Sequence, residues 1–295
     1  MLSRSSTGLI NSLEEKIADD VPLDELLARL RALTLQDFGA FFISLPNPSY
    51  PRLSGRLPRM ASDEVQRDWT GNSGFPLLLQ TSAFVEAVAA ASLKYRHRPL
   101  KGARMLDFGC GYGRIARLMY YFSNHADVVG VDPWDESIRI CRADGLGENF
   151  IQSKYLPETL PVSGHFDLIY AFSVFTHTSE RATRTCLNTL VNYLAPGGLL
   201  VITIRPVDYW TNHEYAAAAG KREVLLVDHH GSGFAFLPHN RAPVDGEVAY
   251  GDTSMTIEWL QKTFPLLRVC GAERPRADPL QVYVYLQRRD KAGPE

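Results

Sequence analysis

The sequence predicts an α/β protein with a doubly wound, mostly parallel sheet of seven strands and a helical N-terminal extension. From about residue 103, short apolar runs alternate with helical patterns, which is typical of parallel strands joined by crossover helices. The last two apolar runs have no helix between them. Because parallel strands need a long crossover, we expect these two runs to form an antiparallel hairpin. We therefore expect a helical extension and lid over residues 1–99, and a core over residues 100–295 with an insertion at 205–252.

The bulk composition indicates an ordinary globular protein. Hydrophobic residues make up 45% of the 295 positions and charged residues 22%, a balance that allows a full core to be buried. The net charge of −2 gives no overall attraction to nucleic acid or to anionic membranes. The four cysteines are widely spaced without a CxxC pair, which predicts neither a metal site nor disulfides. Acidic residues near the N-terminus and the lack of an apolar stretch of about 18 residues predict a soluble, cytoplasmic protein.

The N-terminal extension has three candidate helix starts. Asp20 is placed to cap a helix that has a proline in its first turn, and Thr34 is placed to cap a second helix. A short helix is expected after Ser62. Residues 69–74 carry two glycines and are predicted to form a loop, after which Pro76 lies in the first turn of a longer helix.

The core elements follow in regular alternation. Strands are predicted at residues 103–108, 127–131, 150–152, 166–172, 199–204, 266–270 and 282–286. Helices are predicted at residues 114–122, 137–143, 179–194 and 254–264. Residues 205–252 are rich in histidine, glycine and aromatic residues and fit no simple period.

The chemistry-bearing motif lies between the first core strand and the helix that follows it. Gly109, Gly111 and Gly113 alternate with other residues there, so the backbone can turn tightly and approach a ligand closely. This spacing is tighter than the Gly-x-Gly-x-x-Gly pattern of dinucleotide enzymes. Asp107 precedes the first glycine by two positions, and Asp132 ends the second strand. A carboxylate at the second position can accept hydrogen bonds from both hydroxyls of a ribose.

With these residues the chain resembles the class I S-adenosylmethionine-dependent methyltransferases, over residues 100–204 and, by strand pattern, over 254–288. The resemblance implies a Rossmann-like fold and S-adenosylmethionine as cofactor. It implies that the glycine loop and Asp107, beside the cofactor's ammonium, hold the methionine part, and that Asp132 holds the ribose. The further cofactor contacts that it implies are Cys110 within the loop, Pro133 and Trp134 at the adenine, Gln152 and Ser153 where the family's usual acid is missing, Phe172 after the fourth strand, and Trp69, Thr70 and Gly71 in a lid.

The acceptor is expected at the carboxyl edge of the sheet, where ligands bind in such folds. His177 follows the fourth strand and is the candidate general base. The alternative is a histidine at a helix start that hydrogen-bonds the backbone. The candidate pocket residues are Phe175, Tyr209, Trp210, His229, His230, Phe236 and His239. A surface loop is the alternative for this insertion. A metal site is disfavoured because two adjacent histidines point in different directions in an extended strand.

The function predicted from these features is methyl transfer to oxygen or nitrogen of a small molecule in biosynthesis, without nucleic-acid or membrane partners. A nucleic-acid enzyme is the first alternative, but the segment after the fourth strand is Phe-Ser-Val-Phe instead of the Asn/Asp-Pro-Pro-aromatic motif. A protein arginine methyltransferase would need two glutamates there, and only Glu180 is near. A nicotinamide dehydrogenase is disfavoured by the glycine spacing. A further alternative is a subunit that binds the cofactor but has no catalytic activity.

Overall fold

We describe the protein from a computed structural model, in which residues 2–18, 20–276 and 278–289 are described. The chain forms two compact units, Met1–Gln152 and Ser153–Glu295. The strands of the first unit are β1 (Met105–Phe108), β2 (Val128–Asp132) and β3 (Phe150–Gln152). The strands of the second unit are β4 (Phe166–Ala171), β5 (Leu194–Ile204), β6 (Phe234–Pro238), β7 (Gly251–Met255), β8 (Leu267–Glu273) and β9 (Val282–Arg288).

Helices flank these strands in both units. In the first unit they are α1 (Arg4–Lys16), α2 (Leu23–Leu30), α3 (Leu35–Ile43), α4 (Pro51–Ser54), α5 (Asp63–Thr70), α6 (Gly74–Ala91), α7 (Arg114–Met119) and α8 (Asp135–Ala143), with a π turn at Ser92–Arg96 and a 3₁₀ turn at His125–Asp127. In the second unit they are α9 (Glu180–Tyr193), α10 (Asp208–Thr211), α11 (Glu214–Ala218), α12 (Arg222–Ser232) and α13 (Ile257–Thr263).

The predicted fold class is confirmed. Seven strands form one sheet in the order β3-β2-β1-β4-β5-β9-β8. The pairs β1·β2, β2·β3 and β4·β5 are parallel, while β9 runs antiparallel to both β5 and β8. Among the described residues of the connection from β8 to β9, none forms a helix, as the sequence predicts. The strands β1 and β2 are buried along their whole length, which explains why their sequences are apolar apart from Asp107 and Asp132.

The predicted helix starts are confirmed at two of three places. Thr34 accepts a hydrogen bond from the backbone N–H of Asp37, and Ser62 does the same for the N–H of Val65. The prediction for Asp20 is wrong. Pro22 is the N-cap residue of α2 and no side chain caps that helix, because the proline at this position already fixes the entering backbone.

The predicted loop at residues 69–74 is shorter than expected. Trp69 and Thr70 form the last turn of α5, and Gly71 ends the helix in the left-handed conformation with φ 77°. Helix α6 then begins at Gly74. The side chain of Gln66 spans this turn, because its amide donates to the carbonyl of Ala61 and accepts from the N–H of Gly74. A buried side chain therefore fixes the segment that the sequence presents as a loop.

One helical stretch contradicts the expectation that the chain has no apolar segment long enough to span a membrane. Gly74–Arg96 is long and apolar enough to cross a membrane by length and composition alone, although no such stretch was expected. Half of its most apolar window is buried within the protein, as in the core helix of a soluble protein. A single helix of this kind is weak evidence for a membrane segment.

The insertion at 205–252 is more regular than its sequence suggests. It contains α10, α11, α12 and β6, and β6 pairs antiparallel with β7 in a separate two-stranded sheet. Placing His229 and His230 in an extended strand was wrong, because both lie on α12. The only residues that α12 buries are Leu225 and His229, so the helix leaves little apolar period in the sequence. The predicted helix at 254–264 begins later, at Ile257, because residues 254 and 255 belong to β7.

Candidate functional site

The glycine loop joins β1 to α7 and is tied to the neighbouring strand by backbone hydrogen bonds. The N–H groups of Gly109 and Cys110 both donate to the carbonyl of Val131, at 2.8 and 3.1 Å. The N–H of Gly113 then donates back to the carbonyl of Cys110 at 2.9 Å. These bonds hold the loop in a tight turn at the carboxyl end of β1, where parallel sheets bind their ligands.

Two glycines of the loop serve different purposes. Gly111 and Gly113 both have positive φ, 52° and 74°, which side chains other than glycine rarely adopt. A Cβ at Gly113 would lie 2.4 Å from Leu146, so this glycine is needed for packing. A Cβ at Gly111 would meet nothing nearer than the Trp69 ring at 3.9 Å. Gly111 therefore leaves open space beside the backbone, as close approach of a ligand requires.

Asp132 ends β2 and braces the same loop. One carboxylate oxygen accepts the N–H of Gly111 and the other accepts the N–H of Trp134, both at 2.9 Å. The residue is 8% exposed. Burial raises the pKa of its carboxyl group, against the opposing effect of these two N–H donors. Each oxygen can accept further hydrogen bonds, so the carboxylate can hold the loop and a ribose together.

Aromatic rings border the glycine loop within the first unit. Trp69 stacks on Trp134 with 4.5 Å between ring centroids and 28° between planes, and its edge meets Tyr112 at 5.8 Å. Trp134 is 41% exposed. The predicted lid residue therefore packs on the predicted adenine platform, and the nearest atoms to the Gly111 position also belong to Trp69. Thr70 donates to two carbonyls of its own turn, while Gly71 is exposed.

The remaining predicted cofactor residues differ in exposure. Asp107 and Cys110 are buried, and burial raises the pKa of the Cys110 thiol well above its usual value, so this cysteine is a packing residue. Gln152 is exposed and donates to the carbonyl of Pro133 at 3.1 Å. Two residues that were predicted to contact adenine are therefore hydrogen-bonded to each other. Ser153 and Phe172 belong to the second unit, where Ser153 is half-buried and Phe172 is buried.

The second unit contains a polar cluster around Asp252, which we call the Asp252 cluster. Its members are Asp252, Arg205, Tyr209, His213, His239 and His177. One oxygen of Asp252 accepts from the Arg205 guanidinium and from the Tyr209 hydroxyl. The other oxygen accepts from Nε2 of His213 at 3.0 Å and from Nε2 of His239 at 2.7 Å.

The charge of Asp252 is strongly stabilised. Burial alone would raise the pKa of this carboxyl, but the hydrogen bond from His239 and the charge of Arg205 outweigh burial and hold the pKa well below its usual range. Asp252 is therefore an ionised acceptor of four hydrogen bonds. An ionised carboxylate cannot donate, so both histidines that face it carry a proton on Nε2.

His177, the predicted base, has both ring nitrogens engaged. Nδ1 lies 2.8 Å from the carbonyl of Gly251 and must donate to it, while Nε2 accepts from Arg205 at 3.1 Å. Burial, together with the charge of Arg205, lowers the pKa of His177 to about 4. Its ring also stacks on Tyr250, with 5.2 Å between centroids. The hydrogen bond to a backbone carbonyl matches the structural alternative considered from the sequence.

The other predicted pocket residues divide between core and surface. Phe175 and Trp210 are fully buried, and the Trp210 indole donates to Ser254, which also bonds Nδ1 of the buried His229. Burial, with the neighbouring His230, lowers the pKa of His229. His230 is exposed on α12, and Phe236 is half-buried on β6. Within residues 2–18, 20–276 and 278–289, no group of three or more histidine, cysteine or acidic residues could hold a metal ion.

Sequence reasoning missed several residues of this site. Arg205 directly follows the apolar strand β5, and that change from apolar to charged was the available signal. Asp252 lies on β7, a fully buried strand whose sequence Gly-Asp-Thr-Ser-Met is too polar to be recognised as core. Ser173 has a left-handed backbone, φ 59°, and its hydroxyl accepts from the amide of Gln281 at 3.0 Å. A non-glycine residue in that region marks local strain, which often lies near functional sites.

Comparison with known proteins gives matches to methyltransferases. Residues 105–198 match the family model described as "Methyltransferase domain". A ubiquinone biosynthesis O-methyltransferase of Sinorhizobium fredii is 33% identical over 108 residues, which cover 36% of this chain and 42% of that protein. A sterol 24-C-methyltransferase of Aspergillus fumigatus is 26% identical over 158 residues, which cover 51% of this chain and 41% of that protein. The chain thus spans about two fifths of these relatives.

Among solved structures, the magnesium protoporphyrin IX methyltransferase of Synechocystis PCC 6803 is 14% identical, with a TM-score of 0.49. That alignment covers 77% of this chain and 94% of the other chain. The glycine loop and Asp132 lie within residues 105–198, the segment that matches the family model. Residues 105–198 therefore form a methyltransferase domain. This match agrees with the resemblance of the sequence to the class I S-adenosylmethionine-dependent methyltransferases.

Proposed function

We propose that this chain transfers a methyl group from S-adenosylmethionine to a small-molecule acceptor, at oxygen. The observation that carries the proposal is the open Gly111 position beside the buried Asp132 carboxylate, within a segment that matches the methyltransferase family. The names of the relatives support a small acceptor, because one is an O-methyltransferase of ubiquinone biosynthesis and another a sterol methyltransferase. The first of these supports oxygen as the methylated atom.

The residues of the first unit fit the cofactor. Gly111 offers a gap that a Cβ would partly fill, and its N–H is already oriented by Asp132. The carboxylate oxygens of Asp132 keep lone pairs for ribose hydroxyls, and Asp107 is a buried acid two residues before the glycine loop. Trp134 is exposed on one side of the Trp69 stack and offers an aromatic surface for adenine.

The bound cofactor supplies a methyl group already activated on a sulfonium, so the protein mainly has to align the partners. In this proposal the glycine loop and Asp132 bind and orient the cofactor. The Asp252 cluster lies beyond the carboxyl ends of β4 and β5, where Arg205 directly follows β5. Its buried charges and hydrogen-bonding side chains provide groups that can orient a polar acceptor.

Cofactor binding tests the first step of the proposal. Isothermal titration with S-adenosylmethionine, its demethylated product and NAD should show binding of the first two alone. Asp132→Asn keeps one acceptor oxygen but removes the charge, and should weaken cofactor affinity at least about tenfold, or about 1.4 kcal/mol. Asp135→Asn is the matched control, because Asp135 is an exposed acid in the first turn of α8. Binding of NAD alone would refute the proposal.

Methyl transfer tests the second step. Tritium from labelled S-adenosylmethionine should appear in small hydroxyl compounds and not in DNA, RNA or protein offered at equal mass. Transfer to nucleic acid instead would contradict a small-molecule acceptor and would indicate a nucleic-acid methyltransferase. Tight cofactor binding without transfer to any acceptor class would favour a catalytically silent subunit.

A further inference from the structure

We propose that Arg117 is a positioning residue for cofactor binding, because it joins the glycine loop to the N-terminal extension through hydrogen bonds to both. The inference rests on the proposed function and adds to it the side chain that holds the binding loop in place. Arg117, the loop and the extension all lie within the first unit. The arginine acts on the cofactor indirectly, through the backbone carbonyl of Tyr112, which lies between Gly111 and Gly113.

The position of Arg117 in the fold is one where an arginine is costly. It lies within α7, a helix in which every residue is buried, and it is itself 0% exposed. Burial lowers the pKa of its guanidinium. A buried guanidinium destabilises the fold unless its donors are satisfied, and an aliphatic side chain could fill the same place without that cost. The hydrogen bonds of Arg117 are therefore what this position gains from an arginine.

The guanidinium of Arg117 bonds two backbone carbonyls from different parts of the first unit. Its Nη1 donates to the carbonyl of Tyr112, in the glycine loop, at 2.5 Å. Its Nε donates to the carbonyl of Arg59, in the extension, at 2.8 Å, and Nη2 donates to the same oxygen. The planar fork of an arginine holds its donors in a fixed geometry, unlike the single ammonium of a lysine. Arg117 therefore fixes the distance between the loop and the extension.

The Arg59 end of this link is anchored at the end of α8. The backbone N–H of Arg59 donates to the carbonyl of Asp144 at 2.8 Å, and its side chain donates to the carbonyl of Ala143 at 2.6 Å. The Asp144 carboxylate lies 3.7 Å from the Arg59 guanidinium and 3.8 Å from that of Arg117. The carbonyl that Arg117 contacts is thus part of a segment that is already held in place, so it can serve as a fixed point for the loop.

The Tyr112 end of the link acts on the turn of the glycine loop. The Tyr112 carbonyl belongs to the peptide plane that joins Tyr112 to Gly113, so a hydrogen bond to it fixes the orientation of that plane. Rotation of the plane would move the N–H of Gly113 away from the carbonyl of Cys110, to which it donates at 2.9 Å. The guanidinium also lies against this backbone, since a Cβ at Gly113 would be 3.1 Å from Nη1 of Arg117. Loss of the arginine should therefore loosen the turn.

The extension covers the same loop with apolar side chains. Met60 and Ala61 share one buried cluster with Tyr112, and Trp69 packs against that cluster. Both Met60 and Ala61 directly follow the carbonyl that Arg117 holds. Without the link, the loop and this cover could move relative to each other, which would change the space beside the loop that a bound cofactor needs.

Arg31 provides a matched control. It also belongs to the extension, and it also donates from Nε and Nη2 to backbone carbonyls, those of Tyr120 at 3.0 Å and Ser123 at 2.6 Å. These carbonyls lie beyond the C-terminal end of α7, whereas the glycine loop precedes its N-terminal end. Substitution of Arg31 therefore removes the same kind of link to the extension without a direct effect on the loop.

The test compares Arg117→Met with Arg31→Met by isothermal titration with S-adenosylmethionine, below the melting temperature of each variant. Methionine keeps a long apolar side chain but donates no hydrogen bond, so both variants should have a lower Tm than the wild type. Only Arg117→Met should also raise the Kd for the cofactor, by about tenfold to a hundredfold, because a displaced loop no longer aligns with its ligand. Arg117→Lys keeps the charge but cannot bridge both carbonyls, so it should raise the Kd less, and it replaces Arg117→Met if that variant does not fold.

Hydrogen exchange provides a measurement that needs no cofactor. The N–H groups of Gly111 and Gly113 are hydrogen-bonded when the loop is in place, so peptides over residues 108–116 should exchange faster in Arg117→Met and at the wild-type rate in Arg31→Met. Unchanged exchange in a folded Arg117 variant would overturn the inference, as would equal rises of Kd for Arg117→Met and Arg31→Met. A wild type that binds no S-adenosylmethionine would refute the proposed function, whereas wild-type binding that is unaffected by Arg117→Met would overturn this inference alone.

Discussion

The glycine loop and the Asp252 cluster are assembled in opposite ways. The loop draws its groups from 28 consecutive positions, from Asp107 to Trp134, and its hydrogen bonds link β1, β2 and the turns that follow them. The cluster collects side chains from the segment after β4, the residue after β5, α10 and the turn that follows it, the residue after β6, and β7. A contiguous site leaves a motif in the sequence, whereas a dispersed site leaves only single residues whose meaning depends on the fold.

The glycine loop and the Asp252 cluster also differ in the interactions that stabilise them. The loop depends on backbone N–H groups and positive-φ glycines, so its geometry is set mainly by conformation. The cluster depends on one buried carboxylate that satisfies four donors. Such an arrangement is cooperative, because removal of the central acceptor leaves several buried donors without a partner. Substitutions should therefore damage the two regions by different mechanisms.

The largest effect is expected for Asp252→Ala. The variant leaves the buried Arg205 charge and the Tyr209 hydroxyl without their acceptor, which should cost about 3–5 kcal/mol of unfolding free energy. For a chain of this length the melting temperature should fall by about 10 °C. Asp208→Ala is the matched control, because Asp208 pairs with Arg274 at the surface and should contribute less than about 1 kcal/mol. Equal melting temperatures for the two variants would contradict the idea that one carboxylate organises the cluster.

The pH dependence of stability also tests the stabilising role of the Asp252 carboxylate. The folded pKa of Asp252 is below its unfolded value, so its contribution is fully present above about pH 4 and is lost as pH falls through the folded pKa. The difference in unfolding free energy between wild type and Asp252→Ala should be constant from pH 7 to about pH 4 and then decrease. Urea titrations at each pH measure it. A difference that already shrinks between pH 7 and pH 5 would place the stabilisation elsewhere, for example on the histidines.

The second-largest effect is expected from alanine substitutions at two glycines of the loop, Gly113 and Gly111. Gly113→Ala combines a left-handed backbone with a Cβ 2.4 Å from Leu146, and should cost about 3 kcal/mol. Gly111→Ala has the backbone strain alone, about 1–2 kcal/mol. The order should reverse for ligand binding when both variants are measured below their melting temperatures, because the Cβ at position 111 enters the open space. If Gly113→Ala weakened cofactor binding more than Gly111→Ala, the open side of the loop would be assigned wrongly.

The sequence predicted the seven-stranded sheet well because its strands are short apolar runs separated by glycine turns and amphipathic helices. It located Asp107, the glycines and Asp132 because these occupy fixed positions relative to β1 and β2. It failed for β7, where Asp252, Thr253 and Ser254 are buried in a strand without apolar alternation. Their polar groups find partners from distant segments, as when Thr253 donates to the carbonyl of Thr178. Such pairings have no signature in a single sequence.

His177 and His239 illustrate the limit for catalytic residues. Both are histidines near the carboxyl end of the sheet or its insertion, and the sequence favoured His177 because it directly follows a core strand. The role open to each depends on which nitrogen faces a carbonyl, a guanidinium or solvent, which only the folded arrangement determines. Composition and position identify candidates, and hydrogen-bond partners decide the roles that each candidate can take.

The smallest effect is expected from removal of divalent metal ions. His213 and His239 meet one oxygen of Asp252, an arrangement similar in composition to a metal site. The distances are 3.0 and 2.7 Å between nitrogen and oxygen, and both nitrogens must carry protons because the ionised carboxylate only accepts. A zinc ion would instead need bare nitrogens at about 2.0–2.1 Å from the metal. Methyl transfer should therefore keep its rate after dialysis against EDTA, with elemental analysis as the control for metal removal. A rate lost to chelation and restored by one divalent ion would show that the cluster binds that ion and that its histidines release their Nε2 protons to do so.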